Sequence, residues 1–461
     1  MDSSPQVDSV DLEPSLPAGE TEDGSQNVAA ADHTVDDRPG AGARLAFWFA
    51  LGLVFLRFSM LHEMLTSLVH VNLYLLYVTG IPAIIGLFVS GGFRYPLRYR
   101  PAILWLLFGV WITLAVPFSI WKGGSARLVF IYWRAELILM LVIAGLTRTR
   151  RQCRLLMFTI AAGAVVSLAM SRLFARAEGA SRLSLQVGTV SNANDFAAHL
   201  LLVLPFLLWV VFSGKSLIVR AFALCCVGYG IYPILASGSR GAAIALVADV
   251  LFFTIAARPR QRLVLWVVGP VVVIIAVAVL PNMVYNRILS FSSSEAQASV
   301  EALQSSENRK RLLWDSIVCA VEHPLVGIGP GQFPTYQGSQ PQFSKGEAWH
   351  GTHNTFTQVA SECGIPALVL YLAAIISTLR LLKKVRLKVK GDPELADLES
   401  AVFCVRLAFL GFCTAIFFLN FAYFFYLPAI TGLVIAMFSA VSAPSSASAG
   451  AALEIGGEQP S

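Results

Sequence analysis

Six residues late in the chain, Trp349-His350-Gly351-Thr352-His353-Asn354, set histidines among small and polar neighbours just ahead of an apolar stretch. A histidine at a helix start, facing arginines, has its charged form disfavoured by both, so His353 is expected to be neutral near pH 7 and able to accept a proton. The arginines are Arg172, Arg176, Arg182, Arg240, Arg287, Arg309 and Arg311, all in gaps between apolar runs on the face where basic residues are normally scarce. A single arginine there can simply snorkel to lipid headgroups. Seven on one face point to an anionic substrate delivered from the membrane, because the guanidinium fork holds phosphate oxygens in two places and stays charged. Glu347, His350 and His353 also fall at i, i+3 and i+6, which permits a metal-ligand reading. Gly346 and Gly351 argue against one continuous helix there.

The elements that must position these residues are membrane helices. A chain 56% hydrophobic and 13% charged, with a mean hydropathy of +0.67, is excluded from the soluble globular class and expected to be an all-α polytopic membrane protein. Apolar runs long enough to cross a bilayer are placed at 44–61, 71–90, 102–120, 128–146, 155–171, 196–213, 218–236, 241–257, 263–280, 364–382, 402–421 and 425–441, about twelve spans in all. Lys and Arg concentrate in the even-numbered gaps, which predicts both termini in the cytoplasm and the long polar loop 281–363, between spans nine and ten, on the outer face. No nucleotide is available there to drive synthesis.

Residues 1–43 carry ten acidic residues against one arginine and are expected to be a disordered cytoplasmic tail; 442–461, rich in Ser, Ala and Gly, is read likewise. The first apolar run begins only at Leu45, so no cleavable signal peptide is expected. The net charge of +6 is accounted for by membrane-flanking basic loops, and no nucleic-acid motif is present. Seven cysteines show no metal spacing; Cys319 and Cys363, the two in the outer loop, could pair in an oxidising compartment.

Inside the loop, the stretch from Arg309 to Val318 reads as an amphipathic helix, and His323-Pro324-Leu325-Val326-Gly327-Ile328-Gly329-Pro330-Gly331 as a tight turn. The Lys-Ser/Thr pair of a Walker loop does not follow it, so a structural turn is favoured over a phosphate cradle. Thr355 to Gly364 reads as a helix running into the tenth span.

Together with Asn192-Ala193-Asn194-Asp195-Phe196, Ser237-Gly238-Ser239-Arg240-Gly241 and Thr352-His353-Asn354 running to Glu362-Cys363-Gly364, this turn resembles the O-antigen ligase and polymerase superfamily. His353 and Gly364 have the H-x10-G spacing of the ligases. Their R-x3-L is here Arg240-Gly241-Ala242-Ala243-Ile244, which leaves ligase and polymerase both open.

The resemblance implies glycan transfer from a polyprenyl diphosphate donor to a lipid or glycan acceptor, at the outer face of a bacterial inner membrane, without nucleotide, metal or other cofactor. It also implies a flippase and a chain-length regulator as partners. On this reading His353 deprotonates the acceptor hydroxyl, Arg240 with Arg309 or Arg311 stabilises the departing diphosphate, and transfer inverts the anomeric centre. Arg287, Asn354, Glu362 and Asn194 complete the expected substrate-binding set.

Two other classes fit parts of the chain. A flippase or other transporter would use the intramembrane ionisable residues Arg57, Arg134, Glu136 and Asp249. Arg134 and Glu136, two apart, are not expected to pair with each other. A metal-dependent hydrolase would use Glu347, His350 and His353.

Overall fold

The computed structural model describes residues 41–178, 182–185, 187–280, 298–339 and 350–442. The two terminal tails fall almost entirely outside them. The described chain is all-α apart from one two-stranded hairpin. Its helices are α1 Ala41–Ser59, α2 Leu61–Val69, α3 Leu75–Val89, α4 Arg100–Ala115, α5 Lys122–Ile131, α6 Ile138–Leu146, α7 Arg150–Phe174, α8 Ala193–Ser213, α9 Leu217–Ala236, α10 Arg240–Ala256 and α11 Pro259–Val279. A π-helical turn, Tyr132–Leu137, joins α5 to α6. Then come α12 Ala298–Glu322, α13 Phe333–Ser339, α14 Thr355–Val389, α15 Ala396–Ala415 and α16 Tyr426–Ser442.

Each of the twelve apolar runs falls on a helix, because hydropathy over a span's length is a local signal. Among the described residues, eight helices have the length and composition to cross a membrane, or up to nine if Leu75–Val89 and Gly92–Arg98, bent by 82°, count as one span. The shorter remainder includes Gln261–Ile275, Tyr426–Ser442 and Arg240–Ala256.

Helix α8 is deeply enclosed, with nearly every side chain from Ala193 to Val211 buried. Small residues let helices approach closely, as expected in lipid, where packing rather than hydrophobicity drives association. A Cβ on Gly163 of α7 would lie 3.1 Å from the Ser59 backbone nitrogen. Buried polar groups pair across the bundle: His199 of α8 stands 3.2 Å from both Ser167 Oγ and Tyr426 Oη, and Trp105 Nε1 donates to Thr431 Oγ1 at 2.9 Å.

Several connections gather at one end of the bundle, here the loop end: the α1–α3 link, the hairpin before α8, the α9–α10 turn, the start of α14 and the α15–α16 link. The other end carries ion pairs, Arg154 with Asp397 at 3.1 Å and Arg258 with Glu399.

Of the residues a transporter would use, Arg57 pairs with Glu136 at 2.5 Å. Arg134 instead hydrogen-bonds the Tyr77 hydroxyl, so Arg134 and Glu136 do face apart. Arg57 sits three residues from the end of α1, which places Glu136, and with it the π-turn, near that level.

Candidate functional site

The site is built around a break in α14. Gly364 has φ 82° and ψ 172°, a region open essentially to glycine alone, and Pro366 two residues on has no N–H to donate. An unbroken helix would pair the Ser361 carbonyl with Ile365 N and the Glu362 carbonyl with residue 366. Ile365 N instead donates to Pro324 O at 2.7 Å, and the two freed carbonyls accept from the glycine-rich turn, Ile328 N to Ser361 O at 3.0 Å and Gly329 N to Glu362 O at 2.8 Å. Thr355 to Gly364 is therefore a separate short helix rather than a smooth lead into the tenth span.

The turn needs its glycines for this docking: Gly327, Gly329 and Gly331 all have positive φ, and a Cβ on Gly327 would strike the Glu362 backbone. Pro330 O accepts from Ser125 Oγ at 2.8 Å, and Ile328 O accepts from Ile120 N at 3.0 Å. The turn is thus anchored to the α4–α5 link as well.

Glu362 completes the clamp. Its Oε2 accepts from Gly331 N at 3.0 Å and from the Tyr423 hydroxyl at 2.8 Å, while Oε1 accepts from Phe333 N at 3.2 Å. The side chain is buried. Expected from sequence to meet a sugar or orient a base, Glu362 has both carboxylate oxygens occupied by the turn and by Tyr423.

His353 stands nine residues upstream, and the backbone aims it differently. Asn354 caps α14, its Oδ1 accepting from Phe356 N at 2.9 Å and Thr357 N at 3.0 Å. The Asn354 side-chain oxygen is thereby taken up as a helix cap. His353 itself lies ahead of the helix in the left-handed region, φ 51°, a conformation that costs about 1–3 kcal/mol and persists only where the surroundings hold it.

Those surroundings are visible on both sides. Thr352 Oγ1 lies 2.9 Å from Asn420 Oδ1, Thr355 Oγ1 donates to Leu419 O at 2.8 Å, and Phe421 N donates back to Thr355 Oγ1 at 3.0 Å. Partial burial, the Arg309 guanidinium and His350 push the His353 pKa down to about 4, in that order of weight. The imidazole is therefore neutral, and a proton acceptor, across the physiological range.

Arg309 of α12 is half-buried and close enough to His353 to bias its protonation. Arg311 is exposed and acts on Asp315, one helical turn along. Of the two, Arg309 is the one whose charge acts on the histidine.

Arg240 opens α10 after a turn in which Ser239 Oγ accepts from Ala242 N at 3.3 Å and Gly238 takes φ 59°. The next residue, Gly241, is packed against the Phe418 ring, which leaves no room for a Cβ. Phe418 adjoins Leu419, the partner of Thr355, so the segment 416–422 lies between the Arg240 turn and the His353 turn. Asn194 does not stand open: Arg182 donates to its Oδ1 at 2.8 Å and, through Nε, to Ser237 O at 2.8 Å. Arg182 thus cross-links two of the sequence motifs. It is the residue that motif reasoning passed over, although it was among the seven arginines out of place.

Arg287 and Glu347 lie outside the described residues. Among the described residues, no group of three His, Cys, Asp or Glu side chains is arranged to hold a metal ion. Cys319 and Cys363 are unpaired thiols: Cys319 Sγ faces Ser361 O at 3.9 Å and Cys363 Sγ faces Tyr423 Oη at 3.2 Å.

Residues 221–372, from α9 to beyond the break in α14, match the family model described as O-antigen ligase. No curated protein gives a significant sequence match to the chain.

Proposed function

From the match of residues 221–372 to the family model described as O-antigen ligase, we propose that the chain transfers or polymerises a glycan held on a polyprenyl diphosphate, at the outer face of the inner membrane. The observation that carries this reading is His353 itself, held in a left-handed conformation at the start of the helix and kept neutral by burial, Arg309 and His350.

In the proposed reaction an acceptor hydroxyl attacks the anomeric carbon of the donor sugar. The new glycosidic bond forms as the bond from that carbon to the carrier diphosphate breaks, the hydroxyl proton passes to His353, and the electron pair leaves with the diphosphate. Attack from the face opposite the leaving group inverts the anomeric centre. The donor sugar already carries a good leaving group, so proton removal and charge stabilisation are the two tasks for the protein. Arg309 and Arg240 answer the second without a metal ion.

The experiment is a deletion strain complemented with parent or His353→Ala. A ligase role predicts bare acceptor together with carrier-linked polymer in the deletion; a polymerase role predicts single repeat units on the acceptor. Normal surface glycan in both strains would overturn the assignment.

A further inference from the structure

A polar concavity lies at the loop end, lined by none of the residues given a part in the reaction above. It sits between α2, the start of α3 and the π-turn and encloses about 490 Å3, inside the roughly 300–1,000 Å3 common for small-molecule sites. Its chemistry-bearing walls are His62, Glu63, Asn72, Tyr74, Tyr77 and Arg134.

Arg134 is held by aromatic groups. Its guanidinium bonds the Tyr77 hydroxyl and lies 5.3 Å from the centre of that ring, while the nearby acid Glu136 is taken by Arg57. The π-turn that carries Arg134 belongs to a class of helix defect frequent at functional sites. Glu63 is fixed from the opposite side, accepting from Thr189 N at 2.9 Å and from the Thr189 hydroxyl. Gly188, which has φ 47°, lets the hairpin close onto that carboxylate, because a Cβ there would meet Glu63 at 2.5 Å. Tyr74 and Tyr77 remain 61% and 42% exposed, large rings with little of the protein covering them.

The Arg134 cation and the Glu63 carboxylate, the latter also 3.6 Å from His62 Nε2, face the same space, so no single ligand charge is matched across it. Hydroxyl groups both donate and accept and satisfy the two together with the Asn72 amide. Tyrosine rings supply apolar faces for the C–H side of a pyranose. We infer that this concavity is a binding subsite for one or two uncharged sugar rings of the acceptor glycan, a reading that rests on the glycan transfer proposed above.

The test uses the full chain in lipid nanodiscs, since alkyl-glycoside detergents would compete, with maltose and glucuronate as probes in saturation-transfer NMR. Maltose should receive saturation, Asn72→Ala and Tyr74→Ala should each weaken its binding roughly fivefold, and glucuronate should receive none. His353→Ala should bind maltose like the parent. Absence of maltose binding, parent-like maltose binding in both wall variants, or glucuronate binding as well as maltose would overturn the subsite. Sugar binding in a protein that transfers no glycan would instead overturn the transfer reading and leave the subsite standing.

Discussion

Two stretches of one short helix treat their ionisable groups in opposite ways. At its C-terminal end Glu362 is buried, and its two oxygens hold two backbone N–H groups and a phenol. At its N-terminal end His353 is half-buried, held in a left-handed conformation by its neighbours. The first arrangement fixes a loop; the second presents a base. A buried carboxylate bound to three donors braces the loop, whereas an imidazole with no hydrogen-bond partner among the described residues can meet a substrate. The proposed chemistry belongs to the N-terminal end of the helix, where the backbone of His353 is held in a left-handed conformation.

The comparison is broken most decisively at His353. His353→Ala should lower single-turnover glycan transfer about 100- to 10,000-fold while the loop keeps its resistance to protease. Glu362→Ala should do the reverse in kind: two N–H groups and the Tyr423 hydroxyl lose their acceptor, at about 1–3 kcal/mol for each such buried group. Limited proteolysis should then cut the loop readily, with transfer falling as a consequence. Parent-like protease resistance in Glu362→Ala would remove the clamp from the account.

Smaller effects sharpen the same contrast. Arg309→Gln removes a charge that disfavours imidazolium, so the acid limb of kcat/KM should move up from near pH 4 toward the ordinary histidine range. An unmoved limb would separate Arg309 from the base. Asn354→Ala removes a cap worth about 1 kcal/mol and should lower thermal stability slightly, measured by the melting temperature in nanodiscs, with at most a modest loss of rate.

Much of the fold was legible because apolar runs, gap charges and glycine spacing are one-dimensional signals. The helices at 193–213 and 217–236 begin and end close to where hydropathy places them. The turn at 323–331 announced itself through glycines that only a fixed reversal requires, and it is indeed a brace. The role of Glu362 was not legible, since its partners Gly331, Phe333 and Tyr423 are distant in sequence and nothing in their types names them. The same holds for Arg57 and Glu136, which meet across 79 positions, and for Asn194, claimed by Arg182. Residue type suggested polar function at each; only tertiary contact shows which polar groups are already engaged.

In the proposed transfer a neutral His353 takes the acceptor proton. Its most direct test is kcat/KM for glycan transfer against pH, using the full chain in nanodiscs. Because burial and Arg309 hold the folded pKa near 4, transfer should show an acid limb as pH drops through 4, separate from any change near pH 7 where burial pushes the Glu362 carboxyl up, and the residual rate of His353→Ala should lack the limb near pH 4. A limb at the same pH in His353→Ala, or no limb near pH 4 in the parent, would contradict it.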